Sequence, residues 1–345
     1  HDAGEGLDAD YGSSVDGLGG LVRFLEYEVG FFWDFAYEGP ISGTRYDLSG
    51  QPNSLTTMDD VQQWRLHVKS NTPSVEWGAL SVFRSQDLAS GQARWQAFGE
   101  EFCRTSDSDD LGLNWNCYAL TPRDYFVWSP DLYVIWRGLE DFRLEAEVAM
   151  VYGSIAHARN SSVNDVSADI FSAGAFVRAT YDLDNLHVGL DAAIASGGDD
   201  FPLAYGVGYD PEGLEAETYN DWATIHDQSA FFFARDRHLD LILFREVIGT
   251  FTNGLLIALP FSYDIFSMHG HSLRAGLRPI FSMKASDWKP LGVETDAWLS
   301  YGLGDDLELR FEGGYLLPLE GLDNPYTHQA ASGAFTTQLK AWWRF

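Results

Sequence analysis

The chain has 345 residues, and 51 acidic against 22 basic side chains give it a formal charge of −29. Such a surface repels a polyanion, which excludes nucleic acid as a partner and points instead to cations or a salty habitat. No apolar run approaches the ~20 residues of a membrane helix, no Pro-, Gly- or Ser-rich linker divides the chain, and no charged-then-apolar leader opens it at His1, as expected of a mature or trimmed single-domain chain.

In chain order, residues 1–20 are rich in Gly and Asp and read as a flexible N-terminal segment, or as the extension of a strand or the remainder of a removed part. Period-two alternation then predicts strands over 22–37, 62–71, 74–86, 123–138, 142–157, 166–181, 186–197, 253–266, 271–285, 293–303, 306–318 and 333–345. In the first, Tyr27, Val29, Phe31 and Trp33 alternate with Glu26, Glu28 and Asp34. In the fifth, Phe142, Leu144, Ala146 and Val148 alternate with Arg143, Glu145 and Glu147. In the eleventh, Leu307, Leu309 and Phe311 alternate with Glu308, Arg310 and Glu312. Pro130, Pro260 and Pro279 fall inside strands, where each removes a ladder donor and predicts a bulge or break.

The connections alternate between short turns, such as Thr72-Pro73 and Gly304-Asp305, and long loops, such as 38–61, 87–122 and 198–252. The last strand, Gly333 to Phe345, keeps aromatics on one face and ends on one. Together these predict an all-β fold: an antiparallel transmembrane β-barrel of the Gram-negative outer membrane, with short periplasmic turns and long extracellular loops. The expected barrel spans 21–345 and has 12 strands, or 14 if loop 198–252 hides two more. An even count places both ends, and with them segment 1–20, in the periplasm. Aromatics make up 15% of the residues, with 12 Trp, which fits girdles at the two lipid interfaces.

Inward positions carry nearly as many bases as acids, so most of the −29 charge is assigned to loops and the N-terminal segment. The expected pore lining is Arg143, Glu145, Glu147, Arg274, Arg278, Glu294, Asp296, Glu308, Arg310 and Glu312. It reads either as a structural salt-bridge network filling a small barrel or as a polar conduit with charged ladders. Cys103 and Cys117 would form a disulfide across a short loop in an oxidising compartment. Asp107, Asp109 and Asp110 place oxygen ligands close together for calcium, but without the glycine and terminal glutamate of an EF-hand loop.

Loop 198–252 begins acidic and aromatic and ends in an apolar stretch, Leu239 to Ile248, compatible with a short helix or a strand. An apolar segment is unstable free in water, so it is expected either to fold into the barrel mouth as a constriction or to cap it from outside. The run Asp240-Leu-Ile-Leu-Phe-Arg-Glu-Val-Ile-Gly-Thr-Phe-Thr-Asn253 resembles a segment of an uncharacterised family of porin-like outer-membrane proteins. More loosely, the long acidic-aromatic loop is similar to that of alginate-export-type barrels. The resemblance implies a channel and no particular solute; a balanced lining does not suit a polyanion such as alginate.

No Gly-x-Ser-x-Gly motif occurs, and no enzyme is expected. The expected function is passive passage of ions or small polar solutes, narrowed by loop 198–252, with mild cation selectivity from the acidic loops. The alternative is a sealed structural or binding barrel whose acidic loops contact cations or a protein partner in a larger outer-membrane complex. Outer-membrane lipids are the expected surroundings in either case.

Overall fold

The structure, a computed structural model, describes residues 16–36, 61–92, 118–156, 167–197, 231–233, 239–268, 270–304, 306–323 and 329–343. Fourteen antiparallel strands form one sheet. They are β1 (Asp16–Phe24), β2 (Tyr27–Ala36), β3 (Val61–Asn71), β4 (Val75–Gln92), β5 (Tyr118–Leu139), β6 (Phe142–Ile155), β7 (Ala168–Leu183), β8 (Leu186–Ala195), β9 (Gly254–Ala258), β10 (Phe261–Met268), β11 (His271–Lys284), β12 (Pro290–Leu303), β13 (Leu307–Pro318) and β14 (Ala334–Trp343). Each pairs with its sequence neighbour, except that β9 and β10 both lie between β8 and β11.

The polarity of the two faces is the reverse of a soluble sheet. On β2, Tyr27, Val29, Phe31 and Trp33 are exposed while Glu28 and Asp34 are buried. On β13, Leu309, Phe311, Tyr315 and Leu317 are exposed while Glu312 is buried. Phe335, Leu339 and Trp343 continue the exposed apolar face on β14. Water does not stabilise such an outer face; hydrocarbon does, and the ladders satisfy the backbone groups that lipid cannot. The chain is an outer-membrane β-barrel protein.

The count is 14, the expected alternative to 12, but the two further strands lie elsewhere than in loop 198–252. First, β1 was missed. Phe24 pairs with Tyr27 across a two-residue turn at Leu25-Glu26, with Leu25 at φ +53°, so the segment predicted at 22–37 is the end of one strand and the whole of the next. Residues 16–20 accordingly belong to β1 and not to a flexible N-terminal segment. The glycines of Gly17, Gly19 and Gly20 hid the alternation there. Second, the segment predicted at 253–266 divides into β9 and β10 around Leu259-Pro260.

The cause of the break is the absence of two donors. Neither Pro260 nor Pro279 of the facing strand has an N–H, and the remaining groups bond as Gly189 N to Pro260 O and Leu259 N to Pro279 O. The register on β8 and β11 continues unchanged across the gap, so β9 and β10 are one crossing. Pro130 leaves a gap in the ladder to β6 without moving the register.

The even-count expectation for the chain ends also changes. Asp16 opens β1 at the long-loop end, and Trp343 closes β14 at the short-turn end. Among the described residues β1 pairs only with β2 and β14 only with β13. The short turns hold the positive-φ residues Asp141 and Asp184, which suit the two-residue hairpin geometry.

Candidate functional site

The candidate site is the inner face of the sheet and the segment folded against it. The apolar stretch of the long loop lies on the inner side of β7–β9 and β11–β13. Leu239, Ile242, Leu243, Phe244, Ile248 and Phe251 are buried against Phe176, Ala193, Leu256, Ile280, Leu291 and Leu316. Each apolar side chain of this size contributes roughly 1.5–3 kcal/mol when fully withdrawn from water. Phe231, Phe233, Phe251 and Phe244 form an edge-to-face chain with centroids 5.4, 5.0 and 4.5 Å apart. Of the two expectations for this stretch, short helix or strand, the structure shows a single π turn, Leu243–Val247.

Glu294 of β12 fastens this segment. Its Oε1 accepts the backbone N–H groups of Leu241 (2.9 Å) and Ile242 (2.8 Å), and its Oε2 that of Leu243 (2.9 Å). These donors open the π turn and have no partner within it, so one carboxylate replaces the missing bonds. Asp240 does the same for the next turn, accepting from Phe244 N (2.8 Å) and Arg245 N (3.1 Å). At the far end Asn253 is bonded on both sides of its amide, from Ser286 N to Oδ1 (3.0 Å) and from Nδ2 to Ser286 Oγ (3.3 Å). Gly314 lets the segment approach: a Cβ there would lie 2.7 Å from Asp296 Oδ1 and 3.3 Å from the Leu241 Cβ.

Carboxylates crowd under the segment. Asp240, Glu294, Asp296 and Asp191 are all buried. Arg178 reaches Asp191 side-on at 2.7 and 3.1 Å, and Arg278 reaches it at 2.6 Å. Asp296 sits opposite Arg278 in the ladder, yet its Oδ1 has no hydrogen-bond partner among the described residues. Burial first, and the neighbouring Glu294 second, push the Asp240 carboxyl up to about 7.

Elsewhere the inner face is a set of ion pairs. Glu28 meets Lys69 at 3.1 Å and Arg23 at 2.7 Å, with His67 at 3.3 Å. Asp34 is held by the Arg65 guanidinium and by Gln63. On the far wall Asp264 is shared by Arg274 and His187, and Glu312 by Arg310 and Lys340.

The sequence-predicted lining divides into three groups. Arg143 and Glu145 pair at 2.7 Å on β6, with Glu147 two residues further along the same face. Arg274, Glu308, Arg310 and Glu312 lie on the β11–β13 wall towards the short turns; Glu308 accepts from Ser300 Oγ. Glu294 and Asp296 are buried, Glu294 bonded to the inserted segment, and Arg278 reaches Asp191. Sequence reasoning missed Asp240 as a site residue. Its signal was an Asp directly before an apolar run, the position of a helix cap.

Cys103, Cys117, Asp107, Asp109 and Asp110 lie outside the described residues, as do 198–230 and 234–238 of the long loop. Among the described residues no group of three or more His, Cys, Asp or Glu is arranged to hold a metal ion.

No family model matches the chain. No curated protein matches it either. Solved structures similar to it include the copper transporter OprC, at 12% identity over 92% of this chain and 54% of that one, with a TM-score of 0.37. The CymD monoaromatic hydrocarbon channel is 10% identical over 95% of this chain and 80% of its own, at 0.32. OmpT of Vibrio cholerae, folded in vitro and in trimer form, is 10% identical over 96% and 99%, at 0.30. The chain spans about half the length of OprC. With TM-scores below 0.5, none of these likenesses constrains what this chain does.

Proposed function

We propose that the protein is a porin-like channel for passive passage of ions or small polar solutes across the outer membrane, narrowed by the segment 239–253. The observation that carries the reading is the uneven filling of the inner face. Apolar side chains pack the part of the inner face under segment 239–253, while ion pairs elsewhere, such as Arg65–Asp34, Lys69–Glu28 and Arg143–Glu145, keep one partner in water. A sealed structural barrel has no use for such half-solvated pairs, since burial or apolar replacement stabilises more.

The same inserted segment favours one second reading, a barrel closed by it at rest, whose surfaces bind a partner or cations. Single-channel recording of the refolded protein in a planar bilayer separates the two. The channel reading predicts discrete, stable current steps from the wild-type chain. Silence from correctly folded protein contradicts it and supports the closed barrel.

A further inference from the structure

We infer that the conduit presents a basic surface to the solute and passes small anions in preference to cations, an inference that rests on the channel reading. The charge of the whole chain argues for the opposite sign, but net charge does not say which end of an inner-face ion pair meets the solute. In several ion pairs of the inner face the carboxylate sits against the wall and the base stands in front of it. Asp34 is 3% exposed and Arg65 36%; Glu28 is 10% and Lys69 48%; Glu312 is 6% and Lys340 32%.

The asymmetry follows from side-chain length. Asp and Glu end close to the strand, where several donors surround them, while Arg and Lys carry their charge out on long stems. Each pair is neutral in sum, yet its positive end faces the water. A lumen ringed by such oriented pairs has a positive potential with little net charge.

The hydrogen-bonding geometry agrees. Arg65 grips its carboxylate through Nε and Nη2, two of the five donors of its guanidinium. A guanidinium has five donors, and the unused ones suit the oxygens of a carboxylate or phosphate. The solute class is therefore a small oxyanion, which exchanges water for these donors as it passes.

The test is the reversal potential of single channels in a KCl gradient, where the two ions have nearly equal mobility. The wild-type protein is expected to reverse on the anion side. The paired variant Asp34→Asn with Arg65→Gln removes one oriented pair and leaves the net charge unchanged. Its anion preference is expected to fall towards unity, and Glu28→Gln with Lys69→Gln serves as the second variant if the first does not refold. A cation-side reversal in the wild type, or variants that conduct with an unmoved reversal potential, overturns the inference while leaving the channel standing. Absence of conductance overturns both.

Discussion

The β2–β6 wall and the β7–β13 wall face the same problem, charged side chains turned into a barrel, and meet it differently. On β2–β6, inward carboxylates are matched by bases whose ends remain in water, so each pair resembles a surface salt bridge turned inside out. On β7–β13, part of the inner face is covered by a strip of chain, and the carboxylates of Glu294 beneath it and Asp240 within it are satisfied by backbone N–H groups. The first arrangement leaves a wet surface and stabilises little. The second removes water and fixes segment 239–253 against the wall. Inward charge in a barrel thus says nothing by itself about a conduit; what stands in front of the charge decides.

The comparison breaks most visibly if the cover is removed. Replacing Leu243, nearly wholly buried, with Asp sets a charge against Phe244 and Leu316 and should release the segment outright. Limited proteolysis within 239–253 should then become rapid while the barrel itself stays resistant. Glu294→Gln acts on the same latch less severely. Loss of the charge-assisted bonds is expected to cost about 2 kcal/mol of docking, seen as faster amide exchange at Leu241, Ile242 and Leu243.

The docked segment should also respond to pH through Asp240. Its carboxyl is raised when docked and ordinary when released, so docking is fully favoured below the ordinary carboxylate range and weakens as pH rises towards 7. Amide exchange of the segment should quicken over that window, and Asp240→Asn should remove the dependence. A flat profile in the wild type contradicts this. On the opposite wall, Arg143→Gln breaks a half-exposed pair and should change barrel stability by less than about 1 kcal/mol, measured by thermal unfolding in detergent.

Much of this was legible before the structure. Alternation identified twelve crossings because lipid imposes a uniform apolar face, and the sheet keeps it wherever side chains are large. It failed where that signal was thin. The Gly17-Leu-Gly-Gly20 run of β1 offers few outward side chains, and the turn at Leu25-Glu26 lacks the usual Gly or Asn. Pro260 interrupts the strand as the sequence predicts, but that Pro279 stands opposite the neighbouring Leu259 is not legible there. Period-two reasoning placed Glu294 and Asp296 on the inner face but had no means of finding what covers them, because contact with residues some 50 positions away along the chain leaves no local trace.

Conductance of Leu243→Asp against wild type, in the same bilayer and salt, tests most directly whether segment 239–253 narrows an open lumen. A clearly larger unitary step in the variant, with both proteins folded, is the predicted result. Equal steps contradict the account.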